Sequence, residues 1–243
     1  GHLEGEIADQ GGDALEDRWI QSRLATTVDK VTTALENYDF HDAAQALYRF
    51  TWDDFCDWYL EAAKRRLFVG EGAVLGTSQA EDAAKVRRTL HTVLTDLLGL
   101  LHPFTPFLTE ALWEQLPGRD KKNPLMLADW PKAGRTDSAA EQLFGQLQDA
   151  VRGIRNVRAL LDLPAGETPQ GYVLSDQDNL AESLAQQAPL IQSFCGLSGL
   201  TTGSLASRPT NAGTDVFTGG SVFLPFAEAT DKQKLQDSLA KKM

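Results

Sequence analysis

Two prolines three residues apart interrupt a long apolar helical pattern near the middle of the chain, at Pro103 and Pro106. Proline lacks an N–H and disfavours a helical conformation in the residue before it, so one helix has to end here. We expect a new helix to begin with Thr105 or Pro106 in its first turn and to bury one apolar face. That face comprises Phe107, Leu108, Ala111, Leu112 and Leu116. The sequence therefore predicts a helix, a sharp corner and a second helix that packs into a core.

Three long amphipathic helices are predicted before this corner, over residues 13–37, 40–67 and 80–101. The apolar stripe of the first comprises Trp19, Ile20, Leu24, Thr27, Val28, Val31 and Leu35. The stripe of the second comprises Phe40, Ala44, Leu47, Thr51, Phe55, Trp58 and Ala62, widened by Phe50, Trp52 and Tyr59. Short connections between the helices favour an antiparallel bundle in which the helix after Pro106 is the fourth element.

The hydrophobic period changes in the last hundred residues. Residues 132–136 are predicted to be an interdomain linker, and residues 137–161 a helix. Strands are predicted at 171–174 and 199–206, with a short helix at 179–187 between them and a polar helix from Asp231 onward. Residues 216–218 and 221–224 flank Gly219-Gly220, which is typical of a two-residue hairpin. We therefore expect a mainly α protein, with a helical bundle over residues 1–132 and a small α+β module over residues 137–243.

Composition limits the function classes. The net charge of −11 argues against a uniformly basic surface, so nucleic-acid binding would need local basic patches. Three such patches occur, at residues 64–66, at 85–88 and at Arg152, Arg155 and Arg158. The chain has neither a signal-peptide pattern nor a bilayer-spanning apolar run, and Cys56 and Cys195 are expected to be free buried thiols in a reducing cytoplasm. Because the chain begins Gly1-His2, we expect it to be part of a longer protein.

Motifs for catalysis or metal binding are missing from the sequence. There is no phosphate-binding glycine loop, no CxxC and no pair of histidines at i, i+4. His91 and His102 are expected to be ordinary helix residues. Asp53, Asp57 and Glu61 share one helix face, which we interpret as a solvated face on which Glu61 pairs with Arg65. The residues therefore indicate a binding protein with no catalytic residues and no metal site.

Several segments, in order, resemble the C-terminal region of class I aminoacyl-tRNA synthetases. They are residues 15–20 (LEDRWI), 38–40 (YDF), 50–64 (FTWDDFCDWYLEAAK) and 100–116 (LLHPFTPFLTEALWEQL). Among the valine, leucine and isoleucine enzymes, the FCDWYLE run with the lysine after it looks most like the valyl-tRNA synthetases. Residues 154–158 (IRNVR) and 222–225 (VFLP) are also similar to that family.

The resemblance implies that the bundle is an anticodon-binding domain and that the α+β module leads into a coiled-coil arm, truncated here. The catalytic and editing domains of the family are absent from this sequence, so the fragment itself is expected to be non-catalytic. ATP is expected only in the parent enzyme, and no cofactor in the fragment. The implied partners are a valine-isoacceptor tRNA and the catalytic domain in cis. We expect a cytoplasmic monomer that has no contact with a membrane.

Four site residues are carried over by this resemblance: Leu60, Glu61, Lys64 and Arg65. In similar enzymes, the exposed side of this segment faces the anticodon loop. Unstacked bases need an apolar platform and polar groups for their edges, so Leu60 would offer apolar contact and Glu61 would accept from a base amino group. Lys64 and Arg65 would neutralise phosphates. Trp58 favours core packing, whereas Tyr59 is equally compatible with core packing and a surface role.

Two other interpretations stay open. The acidic balance is compatible with a stand-alone helical protein-interaction module that has lost RNA binding. The same motifs are also compatible with the equivalent region of a leucyl- or isoleucyl-tRNA synthetase. The roles of Arg152, Arg155 and Arg158 also stay open. They could contact RNA or another domain, or they could form a solvated face, which is the favoured interpretation.

Overall fold

The computed structural model describes residues 12–68, 76–119, 122–164, 166–177 and 179–226. These residues form two compact units that divide between Glu141 and Gln142. The polar helix predicted from Asp231 onward lies outside the described residues. Within the described ranges, no helix is long and apolar enough to cross a membrane.

The first unit is helical. Helix α1 spans Leu15–Glu36, α2 spans Phe40–Arg49 and α3 spans Glu61–Leu67. Helix α4 spans Thr77–Leu101, and α5 spans Pro106–Trp113, with a short 3₁₀ turn at Leu125–Leu127. The corner predicted at the two prolines is confirmed, since α4 ends at Leu101 and Pro106 opens α5, where its missing N–H leaves no bond unmade.

The predicted second helix is continuous, but its middle is not an α-helix. Residues Phe50–Leu60 form a π-helix between α2 and α3. A π-helix has more residues per turn than an α-helix, so the buried side chains change their spacing. Phe50 and Phe55, five residues apart, are both buried, whereas Phe40, Ala44 and Trp52 of the predicted stripe are exposed. The predicted inner face of this helix is therefore only partly correct.

In the core of the first unit, the predicted apolar stripe of α1 is largely buried, as expected. Trp19, Ile20, Leu24, Val28 and Val31 of α1 are all buried. They pack against α2, the π-helix and α4, which are the main neighbours of α1. The period of the first helix was therefore sufficient to identify its buried side.

The fourth helix contradicts its predicted orientation. Thr109 and Trp113 are the buried residues of α5, and Phe107, Leu108 and Leu112 are exposed. Trp113 packs with Leu98, Leu125 and Leu116 in a small core. Helix α5 neighbours α4 and the 3₁₀ turn, so it does not brace the second helix as a full fourth member of a bundle.

The segment predicted as a linker lies along α1. The Trp130 indole donates to the Thr32 hydroxyl at 2.8 Å, and the Asp137 N–H donates to the Ser22 hydroxyl at 2.7 Å. Pro131 approaches Gly99 of α4 so closely that an added Cβ would lie 2.9 Å from its Cγ. Residues 130–137 therefore form a strap held at both ends by hydrogen bonds.

The second unit is an α+β module, as predicted. Helix α6 spans Ser138–Leu160, and its C-terminal part lies in this unit, followed by β1 at Gln170–Leu174, α7 at Leu180–Gln186 and α8 at Ala188–Cys195. Strands β2, β3 and β4 span Gly199–Gly203, Ala212–Phe217 and Gly220–Pro225. The strand order is β2-β1-β4-β3, with β1 parallel to β2 and the other pairs antiparallel.

Helix α6 packs on this sheet. Val157 and Leu161 approach Gly213 of β3, and Val222 of β4 approaches Gly153. The predicted hairpin between β3 and β4 is confirmed, but its loop is Thr218-Gly219 rather than Gly219-Gly220, because Phe217 pairs with Gly220. Helix α8 was not predicted; it ends at Cys195 and is capped by Gly196, whose φ of +60° suits glycine.

Candidate nucleic-acid interface

The four predicted site residues lie around the junction between the π-helix and α3. Leu60 is the last residue of the π-helix and is half-buried, whereas Glu61, Lys64 and Arg65 are exposed on α3. The structure therefore exposes roughly half of the Glu61 and Lys64 side chains and less of Arg65, and leaves Leu60 partly buried. We call Leu60, Glu61, Lys64 and Arg65 the α3 face.

Ion pairs on the α3 face are weak and leave its cations available. Lys64 pairs with Glu61 one turn earlier, not Arg65 as predicted. The Arg65 guanidinium lies 4.0 Å from the Glu16 carboxylate, at the limit of an ion pair. The exposed pair of Lys64 and Glu61 contributes at most about 1 kcal/mol because water and salt screen it, whereas the pair of Arg65 with the buried Glu16 is weak because of its length. Lys64 and Arg65 can therefore exchange these partners for phosphate oxygens at little cost.

Arg66 does not belong to the exposed surface, although it completes the basic patch seen in the sequence. Its side chain is buried and its Nη1 lies 2.6 Å from the Asp17 carboxylate and 3.2 Å from Glu16. Its Nε and Nη2 donate to the two carboxylate oxygens of Asp82 at 2.8 and 2.5 Å. The guanidinium is therefore fully used in fixing α3 to α1 and α4, and is unavailable for RNA.

Tyr59 completes this buried cluster. It is 0% exposed and its hydroxyl donates to Asp17 at 2.8 Å. Glu16, Asp17, Tyr59, Arg66 and Asp82 are together called the Asp17 cluster. The interpretation of Tyr59 is thereby decided in favour of the core, and the prediction that Trp58 packs in the core is confirmed, since only 7% of it is exposed.

Titration within the Asp17 cluster follows from burial and pairing. Burial by itself would lower the pKa of the Arg66 guanidinium, but hydrogen bonds to Asp82 and the charge of Asp17 raise it overall. The hydrogen bond from Arg66 lowers the pKa of Asp82. Burial raises the pKa of Glu16 and of the Tyr59 hydroxyl. Arg66 is therefore charged at every relevant pH, and Tyr59 is protonated.

Sequence reasoning missed the Asp17 cluster, although one signal pointed to it. Arg66 follows the buried Ala62 by four residues and the buried Tyr59 by seven, which places it on the inner side of the helix. A buried arginine requires carboxylate partners. The acidic pair Glu16 and Asp17, at the start of the first predicted helix, supplies two of them.

The basic edge predicted on α6 has a structural role in the second unit. Arg155 donates to the Phe194 carbonyl at 3.1 Å, and Arg158 donates to the carbonyls of Gly196, Pro164 and Glu167 at 3.4, 3.1 and 2.8 Å. These carbonyls lie at the end of α8 and in the loop after α6. Arg152 pairs with Asp149 at 3.0 Å. Arg152 and Arg155 are exposed and Arg158 is half-buried, which agrees with the expected solvated face, and Arg155 and Arg158 additionally tie α6 to these carbonyls.

Histidine, cysteine and acidic side chains are dispersed over the described part of the chain. Within it, no group of three or more histidine, cysteine or acidic side chains is arranged to hold an ion. Asp53, Asp57 and Glu61 are exposed, as predicted for a solvated face. His91 contacts the Pro117 carbonyl at 3.2 Å and His102, just after α4, contacts the Thr109 hydroxyl at 2.8 Å.

A polar groove of about 570 Å³ lies between α1 and α2, away from the α3 face. It is lined by both signs of charge, including Lys30 and Arg49 beside Asp29 and Asp42. None of the four predicted site residues lines it. The groove and the predicted site are therefore separate features.

A known family distinguishes two of the interpretations left open by the sequence, the synthetase domain and the stand-alone interaction module. Residues 17–173 match the family model described as the anticodon-binding domain of tRNA ligase. The chain belongs to this family. The match includes the whole α3 face and extends into β1 of the second unit. Membership in the anticodon-binding family favours the synthetase interpretation over a stand-alone interaction module.

Relatives of this anticodon-binding chain are valine–tRNA ligases. The enzyme of Thermotoga maritima is 44% identical over 170 residues, which cover 68% of this chain and 18% of that protein. The enzyme of Bacillus anthracis is 36% identical over 92% of this chain and 24% of its own length. The enzyme of Oceanobacillus iheyensis is 33% identical over 98% of this chain and 26% of its own length. The chain thus spans about a quarter or less of each of these relatives.

Proposed function

We propose that this chain is the part of a valine–tRNA ligase that binds the anticodon stem and loop of a valine-isoacceptor tRNA. The observation that carries the proposal is the α3 face, where two weakly paired cations lie beside a half-buried leucine on a helix held in place by buried ion pairs. Membership in the anticodon-binding family and similarity to valine–tRNA ligases support it. In this proposal the fragment is a cytoplasmic monomer, and ATP, valine and the chemistry belong to a catalytic domain in cis.

Each residue of the α3 face has a chemical role in this proposal. Leu60 supplies an apolar surface for an unstacked base, and the Glu61 carboxylate accepts from an exocyclic amino group. Lys64 and Arg65 contact phosphates. Two cations give only modest affinity, which fits a domain that acts together with other tRNA contacts on the same polypeptide.

The test is a titration of the chain, at low salt, with an RNA hairpin carrying the valine anticodon. A hairpin that differs only in its middle anticodon base serves as the comparison. We expect the valine hairpin to bind more tightly, with each lost base contact costing about 1–3 kcal/mol by the usual scale for base recognition. Hairpins with leucine and isoleucine anticodons extend the panel to the two related enzymes.

Two results would contradict the proposal. Equal affinity for all four hairpins would remove the valine assignment. Lack of binding to every hairpin, including by a longer protein that also contains the residues preceding this chain, would remove the anticodon-binding role altogether. The native gene supplies an independent check, because the proposal requires a longer reading frame that encodes a synthetase catalytic domain.

A further inference from the structure

The residue directly after α3, Phe68, exposes an aromatic ring at the end of the α3 face. Its side chain is 74% exposed. Single exposed apolar residues are common on protein surfaces and indicate nothing by themselves. The position of this ring is what distinguishes it, because its neighbours along the helix are residues of the candidate interface.

The backbone places Phe68 in line with the α3 face. Its N–H donates to the Lys64 carbonyl at 2.9 Å, so its Cα still follows the helical path. Phe68 comes four residues after Lys64 and seven after Glu61, and residues at these spacings share one side of a helix. The helix then ends, since Phe68 itself has a φ of −105° and a ψ of 94°. The Cβ atoms of Lys64 and Phe68 are therefore about 5–6 Å apart.

Apolar and cationic side chains alternate along this side of the helix. Leu60, Lys64 and Phe68 follow one another at intervals of four residues, and each interval advances the helix by about 6 Å. The apolar surfaces of Leu60 and Phe68 thus lie about 12 Å apart along the axis, with the Lys64 ammonium group between them. Two surfaces at this separation serve two different bases, and the cation is placed for a phosphate between them.

This arrangement fits unpaired RNA better than it fits an apolar protein surface. Proteins hold unstacked bases on aromatic side chains, beside cations that follow the phosphate backbone. Both kinds of group occur here, because Lys64 and Arg65 lie within the last turn before Phe68. An apolar partner covering the ring would also cover Lys64 and Glu61, and burying charged groups is costly unless they are fully paired.

We propose that Phe68 stacks on an unpaired base of the RNA bound at the α3 face. The inference rests on the proposed function, in that the α3 face has to bind RNA. Stacking on an aromatic ring is tolerant of base identity, because every base has a π-face. Phe68 therefore contributes affinity for the loop, whereas the choice of base depends on polar contacts such as that of Glu61.

Two substitutions at Phe68 test this role in titrations with the valine hairpin. We expect Phe68→Ala to weaken binding at least about fivefold, the lower end of the range for one stacked base. The factor should be the same for hairpins with other anticodons, and the salt slope should not change because no charge is removed. Phe68→Trp keeps an aromatic ring and should bind as tightly as the parent chain. Equal affinities of Phe68→Ala and the parent chain would overturn the proposal.

The matched control is Phe107→Ala, which removes a phenylalanine that is 92% exposed on α5. Helix α3 is bonded to α4 at Asp82, whereas α5 follows the opposite end of α4. This control should leave hairpin affinity unchanged. An equal loss for both alanine variants would show a general effect of apolar surface and would also overturn the proposal.

Hairpins that each lack one loop base identify the base that stacks on Phe68. At one loop position, loss of the base should weaken binding by the parent chain but have no further effect on Phe68→Ala, since both changes remove the same contact. Additive losses at every position would contradict stacking. If Phe68→Ala instead binds every hairpin normally and lowers the unfolding temperature of the full polypeptide, the ring contacts protein and the proposal is wrong.

The parent chain separates a failure of this inference from a failure of the proposed function. If the parent chain binds the valine hairpin and Phe68→Ala binds it equally well, only the stacking role is lost. If the parent chain binds none of the hairpins, the anticodon-binding role is lost and the stacking role with it.

Discussion

The Arg66 guanidinium lies 2.6 Å from the carboxylate of Asp17, which is 0% exposed. This pair joins the end of the second helix to the start of the first. A charge removed from water is costly unless a partner and hydrogen bonds satisfy it, and Arg66 has three carboxylates around it. The orientation of the α3 face therefore depends on a residue that never touches the surface.

Replacing Arg66 with methionine should destabilise the first unit strongly. The substitution leaves Asp17 and Glu16 buried without their cation, and breaking a buried pair from one side costs about 3–5 kcal/mol. Urea unfolding followed by circular dichroism measures the loss. Arg65→Met is the matched control, because Arg65 lies next to Arg66 but is exposed. This control should change the unfolding free energy by less than about 0.5 kcal/mol. Similar losses for both variants would contradict the role assigned to Arg66.

Asp96 should make the chain less stable as the pH rises. Burial raises the pKa of this α4 carboxyl to about 6, above its unfolded value of 3.8. Between these two values the folded state binds more protons than the unfolded state, so stability falls as pH rises from about 4 to about 6. Asp96→Asn should therefore stabilise the chain by about 1–2 kcal/mol at pH 7 and have little effect at pH 4.

The measurement for Asp96 is the difference in unfolding free energy between the variant and the parent chain across this pH range. Taking the difference removes contributions from other carboxylates, such as Asp82, whose pKa is lowered. A difference that does not change with pH would contradict the assignment.

Two glycines in the second unit should respond in opposite directions to alanine. A Cβ at Gly220 would lie 2.5 Å from the Leu174 carbonyl oxygen, so Gly220→Ala should displace β4 from β1 and destabilise the unit by several kcal/mol. Gly145 lies within α6 with open space around its Cα, so Gly145→Ala should stabilise it by about 0.5–1 kcal/mol. Thermal unfolding of both variants is the measurement, and the prediction fails if Gly220→Ala is neutral.

Removing two cations from the α3 face should reduce the salt dependence of RNA binding. Each phosphate contact to single-stranded RNA contributes about −0.7 to the slope of log K against log salt, so Lys64→Ala with Arg65→Ala should reduce the slope by up to about 1.4. The control is Lys30→Ala with Arg49→Ala, which removes the same charge from the α1–α2 groove. If the control lowers the slope as much as the test variant, the effect is one of net charge and not of the α3 face.

The spacing of apolar residues predicted most helices of the chain. Where it predicted the wrong buried face, the reason is physical. The stripe of α1 was correct because one face of that helix meets the core along its whole length. The stripe of the second helix was only partly correct because a period of 3.6 cannot describe the π-helical segment that joins Phe50 to Phe55. For α5, the pattern identified an apolar face at Phe107 and Leu112, but apolarity alone does not say whether this chain or another surface covers it.

Similar limits apply to the candidate site. Exposure of Glu61, Lys64 and Arg65 followed from the helix pattern and the family resemblance. Burial of Arg66 did not follow, because its three partners come from α1 and α4, and a single sequence does not reveal which distant carboxylates meet. The role of the α3 face in binding stays a prediction for the hairpin titration.

The π-helix has a consequence for how this chain tolerates changes in length. Each residue advances an α-helix by about 100° and a π-helix by somewhat less, so deleting one residue from Phe50–Leu60 would rotate everything after it by close to a quarter turn. Lys64 and Arg65 would then turn towards the interior, and Arg66 would leave its carboxylates. A substitution on the α3 face changes one side chain. A single insertion or deletion in the eleven residues before it would instead move the exposed residues of α3 towards the core and its buried residues towards solvent. The number of residues in this segment is thus as strongly constrained as their identity.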